Sequence, residues 1–373
     1  MNLREIFCPN PDCPAKGRRN EGNITIHSQA EQRCCCSVCD TTFSITKGTI
    51  FYRLKTDPVQ VMLVITLLAY GCPIQAIVVA FGFDERTVKN WWRRAGTHCQ
   101  TVHEHLVENS QLDLGQVQAD EIKAKVQGGS IWMAMAMMVS TRLWLGGIIS
   151  PRRDKALIQQ LADKVRGMAL CRPILIAVDG LPSYVTAFKR AFRSKLPRYG
   201  QRGRAKLRAW SELHLVQVVK QRSSGNWSIS RRIVQGGAEQ IARLIEASQG
   251  QGGINTAYIE RLNATFRQRL NSLARRTRTL ARHPETLQAG MYVVGCVYNF
   301  CTYHHSLRVP YFLTDRSRRW LQRTPAIAAG LTDHRWSIEE LFWFRVPPEP
   351  WTPPKRRGRP SKEMLRLIER WAS

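Results

Sequence analysis

The chain has 373 residues, room for two or three compact units, and 43% of them are apolar, enough for a sizeable core. Lysine and arginine number 56 against 28 acids, giving +28 and a pI near 10.3, a surplus that repels itself unless a polyanion neutralises it. Nucleic acid is therefore the expected partner, with an anionic membrane as the rival. The cysteine pattern excludes a disulfide scaffold: six of eleven crowd before residue 40.

Residues 1–55 read as a zinc ribbon. Cys8-Pro-Asn-Pro-Asp-Cys13 and Cys36-Ser-Val-Cys39 are two cysteine pairs on tight turns, the spacing that closes a tetrahedral Zn²⁺ site. The segment is too short to build its own core, so the metal supplies folding energy. Cys34 and Cys35 compete for the third ligand position, and Cys36 is preferred because two residues separate it from Cys39. Arg4 and Glu5 are followed by Cys8 and Pro9, not by the apolar run of a signal peptide. The other cysteines, at 72, 99, 171, 296 and 301, are expected to be buried thiols.

Residues 56–113 predict three helices. Asp57-Pro58 opens the first, to about Tyr70, and Pro73 opens the second, to about Phe81-Gly82. Asp84 caps the third, Glu85–Ala95. Val61–Phe83 carries no charge, but Gly71, Cys72, Pro73 and Gln75 break it, so two short buried helices are expected and no membrane span. The third helix carries Arg86, Lys89, Arg93 and Arg94, the pattern of a helix-turn-helix whose last helix enters the major groove. His98, Cys99, His103 and His105 lack a second metal-binding pair nearby and read as a solvated helix.

Residues 114–310 predict strands over Gln116–Lys125, Ile131–Val139 and Leu143–Ser150, with turns at Gly128-Gly129-Ser130 and Ser140-Thr141-Arg142. A helix from Asp154 to about Val165 and a buried strand, Ile174–Val178, follow. Three antiparallel strands, a helix and a buried strand is the order of a ribonuclease H-like core, in which the first and fourth strands are neighbours. Asp120 and Asp179 then face each other and need cations between them. Asp120 and Glu121 are adjacent in a strand and point to opposite faces, so only one of them is expected to serve, and spacing does not say which. Lys189–Arg208 holds nine basic residues and no acid, a DNA-facing loop or helix pair or else a solvated linker. Strands Glu212–Lys220 and Asn226–Val234 and a helix Ala238–Ser248 come next.

Asn255–Arg282 reads as one long helix with seven arginines and a single acid, Glu260. Ile259, Leu262, Phe266, Leu270 and Leu273 share one side; Glu260, Asn263, Arg267 and Asn271 form another row. A lone carboxylate among cations is either paired with arginine or placed to hold a divalent metal.

Asp120-Glu121, the run Val178-Asp179-Gly180-Leu181-Pro182-Ser183-Tyr184, and Tyr258-Ile259-Glu260-Arg261-Leu262-Asn263 with Phe266-Arg267-Gln268-Arg269-Leu270 resemble the transposase family of insertion sequence one. Tyr298-Asn299-Phe300-Cys301 with His304-His305-Ser306-Leu307-Arg308 is similar to transposases of this broad kind. The resemblance covers about residues 8–310. It implies a DDE transposase with Asp120, Asp179 and Glu260 as catalytic residues and metal ligands, and two Mg²⁺ ions (or Mn²⁺) as cofactor. The implied reaction is hydrolytic nicking at element ends, then attack of the 3′-OH on target DNA. By that match Asp120, not Glu121, is the first ligand.

Residues 311–346 are expected to form a helical extension, and 347–373 a proline-rich linker and tail. Arg357-Gly358-Arg359-Pro360 resembles an AT-hook, whose arginines fill the narrow A·T minor groove; a generic basic tail is the alternative. The expected fold is multidomain α+β: ribbon (1–55), helix-turn-helix (56–113) and a ribonuclease H-like catalytic core with a mixed sheet (114–310). The expected partners are double-stranded element ends and target DNA, held by a homodimer or larger assembly on the bacterial nucleoid in the cytoplasm. Arg86, Lys89, Arg93, Arg94, Asn263, Arg267, Arg357 and Arg359 are the expected DNA contacts. The competing readings are a non-catalytic DNA-binding regulator or transposase relic, and a nuclease without strand transfer.

Overall fold

A computed structural model of the chain describes residues 3–126, 129–196, 203–223, 226–275, 283–312, 318–349 and 361–371. It divides into two compact units, one formed by Met1–Pro58 with Phe342–Ser373 and the other by Val59–Leu341.

In the first unit, strands β1 (Ile24–Ser28), β2 (Arg33–Cys36) and β3 (Thr42–Ser44) form an antiparallel sheet in that order. Its buried residues are few, chiefly Ile6, Ile24 and Phe43 around the cysteines, too little apolar surface to hold a fold alone. Residues 343–348, leading into the proline-rich stretch, pack on this ribbon. Trp343 lies 4.6 Å from Phe51, ring to ring, Arg345 donates to the Ile45 carbonyl and Arg19 donates to the Arg345 carbonyl. Gly17, at φ +73°, makes room for Pro348: a Cβ there would stand 3.0 Å from its carbonyl oxygen.

The second unit opens with α1 (Pro58–Ala69), α2 (Ile74–Phe81) and α3 (Glu85–His103). Gly71, at φ +90°, breaks the uncharged stretch, and a Cβ there would meet the Gln268 carbonyl at 2.8 Å. No described helix is long and apolar enough to cross a membrane. The Asp84 carboxylate caps α3, accepting from the amides of Arg86 (2.8 Å) and Thr87 (3.3 Å). The helix runs past the expected end at Ala95, because Val88, Trp91, Ala95, Cys99 and Val102 continue one buried stripe. His103, expected on a solvated helix, is fully buried, and so is Cys99, as expected of a buried thiol.

The remaining elements are β4 (Gln116–Val126), β5 (Gly129–Met138), β6 (Trp144–Ser150), α4 (Lys155–Met168), β7 (Ile174–Asp179), α5 (Pro182–Ala191), β8 (Arg193–Lys195), β9 (Leu207–Ala209), β10 (Leu213–Ser223), β11 (Asn226–Gln235), α6 (Ala238–Gln249), α7 (Ala257–Arg269), α8 (Pro284–Cys296), β12 (Val309–Phe312), β13 (Arg318–Leu321), α9 (Pro325–Ala328), α10 (Ile338–Trp343) and, in the first unit, α11 (Lys362–Trp371). Six strands form one mixed sheet in the order β11-β10-β7-β4-β5-β6. β7 pairs in parallel with both β4 and β10, and the other pairings are antiparallel. The first and fourth strands of the expected core, β4 and β7, are thus neighbours. Leu175 and Ala177 of β7 pack against Ile241 and Ile245 of α6, and β7 is buried from Ile174 to Val178, as a strand covered on both faces must be.

Several expectations change. The long helix ends at Arg269, with Leu270 extended (φ −114°, ψ 102°) before a short turn at Asn271–Leu273. Leu270 and Leu273 are both buried, and Gly290 of α8 makes room for Leu270: a Cβ there would meet its methyl at 2.7 Å. Burying these leucines draws the chain out of the helix; residues 276–282 lie outside the described residues. The basic stretch 189–208 holds the exposed pair β8–β9, not two helices, with 197–202 outside the described residues. Of the scattered cysteines, Cys171 is exposed and Cys72 half-buried, against expectation. The expected turn at Gly128 and the hook residues Arg357 and Arg359 also lie outside the described residues.

Helix α3 meets α8 at Gly96, where a Cβ would stand 2.3 Å from that of Ala289. Gly96→Val should therefore destabilise the second unit by about 3 kcal/mol, the upper end for overpacking. Thermal melting checks this; an unchanged melting temperature would refute the close approach.

Candidate functional site

Register brings the carboxylates together. Ala119 of β4 pairs with Val178 of β7, so the next positions, Asp120 and Asp179, lie side by side at the same sheet level. Strand alternation puts Asp120 on the face shared with Gln118 and Gln116, the face covered by α6 and α7. Gln118 fixes α7 there. Its side-chain oxygen accepts from the amides of Tyr258 and Ile259, both at 3.0 Å, and its amide donates to the Asn255 carbonyl at 2.8 Å. This acts as a helix cap supplied by another element, satisfying amides at the start of α7 that have no partner within the helix.

Asp120 and Glu121 do not stay apart on opposite faces as strand alternation predicts. Ligand oxygens of Asp120, Glu121 and Asp179 all lie within 4.8 Å of one another. The physical reason is where the strands end. β7 stops at Asp179 while β4 runs on to Val126, so no backbone beyond Asp179 separates the two faces next to the long Glu121 side chain. Glu121 is held by the Tyr184 hydroxyl at 2.6 Å and by Arg153, whose Nε donates at 2.6 Å. Arg153 also reaches Asp179 at 3.7 Å, so one cation partly neutralises two acids. Tyr184 sits in the run after Asp179, so its proximity was in principle readable; nothing in the spacing marked Arg153.

Burial, reinforced by the charges of Glu121, Asp179 and Glu260, pushes the Asp120 carboxyl up to about 7. Burial also raises Asp179, although the Leu181 amide, donating at 2.9 Å, pulls the other way. Such a cluster of like charges is unfavourable without a cation.

Glu260 is not one of the three clustered acids. On α7 it accepts from Thr256 at 2.8 Å and pairs with Lys220 of β10 at 2.5 Å. Burial works to raise its carboxyl, but the bonds from Lys220 and Thr256 prevail and hold it below the ordinary value. Asn263, expected to face DNA, is 1% exposed and donates to Asp120 at 2.7 Å. Its side-chain oxygen is buried with no hydrogen-bond partner. An acceptor left over beside three oxygen ligands suits the water shell of a hard divalent cation, so the residues present fit such an ion. Arg267 is half-buried on the same helix.

The four expected cysteines also converge. Cys8, Cys13, Cys36 and Cys39 are buried, with all sulfurs within 4.8 Å; Cys8–Cys39 is 3.6 Å and Cys13–Cys36 is 3.9 Å. Sulfurs bound tetrahedrally at about 2.3 Å from zinc stand about 3.8 Å apart, so the group can hold that ion. Neither Cys34 nor Cys35 joins it. Burial raises the Cys8 thiol and pushes Cys13 up to about 11. Burial also acts to raise Cys39, but hydrogen bonds from Thr41 outweigh it and bring that thiol down to about 6.

On α3, Arg86 and Arg93 are exposed, Lys89 pairs with Glu85 and Arg94 is half-buried, while Val88, Trp91 and Trp92 face the core.

A carboxyl raised on folding costs nothing where it stays protonated. For Asp120 the penalty is absent below its ordinary 3.8, grows as pH rises toward about 7, and is complete above. Without added divalent metal, Asp120→Asn should therefore melt higher than the parent at pH 8 and equally at pH 3.5. Adding Mn²⁺ at pH 8 should raise the parent's melting temperature and leave the variant's unchanged. Equal Mn²⁺ shifts in both proteins would remove Asp120 from the ligand set.

No family model matches the sequence, and no curated protein matches it. Among solved structures, the chain is similar to a piggyBac transposase synaptic complex with hairpin DNA, at 10% identity and a TM-score of 0.35. The likeness covers 67% of this chain and 66% of that one, a little under two thirds of its length, and is too slight to carry an argument.

Proposed function

We propose that the chain is a metal-dependent DNA transposase with a ribonuclease H-like core. The carrying observation is the carboxylate cluster: Asp120, Glu121 and Asp179 meet where β7 ends beside the middle of its parallel neighbour β4. The strand order supports the same reading. Taking β4, β5, β6, β7 and β10 as strands one to five, these run 3-2-1-4-5, with β11 added at the edge beyond strand five.

In this reading Asp120 and Asp179 bind divalent cations and Glu260 completes the set. Two Mg²⁺ ions, or Mn²⁺, would activate the attacking oxygen and neutralise charge on the scissile phosphate. Glu260 is free to change partners: its pair with Lys220 is close to half exposed on both sides and contributes at most about 1 kcal/mol. Once released, Lys220 stands beside the acids as a cation for DNA phosphate. Asn263 holds Asp120 by its amide, and Arg153 with Tyr184 holds Glu121, so the acids are oriented before substrate arrives. Water attacks phosphorus and leaves a 3′-OH, which then displaces a 3′-oxygen in target DNA.

The ribbon, with Zn²⁺ on Cys8, Cys13, Cys36 and Cys39, and the helix-turn-helix, with Arg86, Lys89, Arg93 and Arg94, would bind element ends. Arg267 lies toward the scissile strand. Arg357 and Arg359 would add A·T-biased affinity from the tail. Pairing two ends calls for a homodimer or larger assembly, working on the nucleoid in the cytoplasm. The net charge of +28 supports a polyanionic partner.

The native flanking DNA of the gene, cloned in a supercoiled plasmid, should be nicked with Mg²⁺ and not with Ca²⁺. Glu260→Gln should lose nicking and keep DNA binding. Normal nicking by that variant would remove Glu260 from the site, and no nicking by the parent would favour a non-catalytic DNA-binding regulator. Changing Arg357 and Arg359 to Ala should weaken binding to A·T-rich duplex and spare G·C-rich duplex, as read by titration; equal loss on both would mean a generic basic tail.

A further inference from the structure

A cavity of about 480 Å³ opens beside α7, lined among others by Tyr70, Arg261, Arg269, Tyr298, Tyr303 and His304. No carboxylate lines it among the described residues. It lies on a different stripe of α7 from Asn263, beginning at Arg261, the residue after Glu260, and reaching Arg269 about 12 Å further along the axis.

Three features describe its occupant. Two arginines without a neutralising acid favour an anion. Nη1 of Arg269 is buried with no hydrogen-bond partner, so a donor there is waiting for an acceptor oxygen. Planar groups are stacked at the wall: Arg269 lies 4.6 Å from the Tyr70 ring and Arg335 4.8 Å from the Tyr303 ring, and both tyrosines are about half exposed. Arginine and aromatic platforms hold unstacked bases without reading their sequence. The volume suits one small ligand, whereas a duplex, with a major groove alone about 12 Å wide, is too large to enter.

We infer that this cavity receives a single unpaired nucleotide of a DNA strand, its phosphate between Arg261 and Arg269 and its base against the tyrosines. The inference rests on the transposase reading and adds to it a holding point for a frayed or cleaved strand, on the same helix as Glu260.

The test uses the full chain in Ca²⁺ and compares a labelled blunt duplex with the same duplex carrying a short single-stranded overhang on either strand. The overhang should be bound about tenfold more tightly, the worth of a stacked base. That ratio should fall toward one in Tyr303→Ala and in Arg261→Gln, and Tyr303→Phe should restore it because the ring is kept. A ratio near one in the parent, with blunt duplex still bound, would overturn the inference and leave the proposed function standing. An unchanged ratio in both variants would also overturn it. Equal competition by free deoxyadenosine monophosphate and by a single-stranded oligonucleotide would overturn a DNA strand as the occupant in favour of a free nucleotide. Failure of the parent to bind either duplex would count against the proposed function itself.

Discussion

Two aspartates forced side by side are the constraint around which the second unit is arranged. The parallel pairing of β4 and β7 sets Asp120 level with Asp179, and the early end of β7 admits Glu121 to the same spot. Three carboxylates this close repel, and burial strengthens the repulsion by removing water. The fold answers only in part. Arg153 spans Glu121 and Asp179, Asn263 donates to Asp120, and Tyr184 donates to Glu121. The remaining deficit appears in the carboxyl of Asp120, pushed up to about 7. A divalent cation among these oxygens would relieve that repulsion.

Helix α7 is the second part of that arrangement. Gln118, on the same strand and face as Asp120, caps it directly, so the helix start and the first acid are tied through one side chain. Its stripes then divide the work. Ile259, Leu262 and Phe266 are buried, Glu260 and Asn263 approach the acids, and Arg261 and Arg269 line the adjoining cavity. The row with Glu260 and Asn263 and the row with Arg261 and Arg269 lie next to each other through the helical repeat alone.

The ribbon unit obeys a different economy. Its apolar core is small, and four sulfurs at tetrahedral spacing stand where a larger domain would place leucines. Residues 342–349 add Trp343 and Pro348 to it, so apolar cover comes from a distant part of the chain.

Much of this was readable from residue order. Two cysteine pairs, the second at knuckle spacing, pointed to the four sulfurs that converge, with Cys36 preferred over Cys34 and Cys35; periodicity placed the strands, because alternation and apolar runs are local signals, and their order suggested that β4 and β7 are neighbours. Asp84 and Gly82 marked helix ends through their own backbone preferences. What local signals could not carry was decided by packing between distant segments. Leu270 left the helical path to bury against α8; the second half of α3 became core because α8 covers it; Asn263 turned inward because Asp120 was there to accept its hydrogen bond. Glu121 joined the acids because a neighbouring strand ended, a fact about β7 that no inspection of β4 reveals. Sequence alone determined which residues have the chemistry; only the tertiary structure decided which of them meet, since contacts across the sheet depend on where other strands stop and other helices cover.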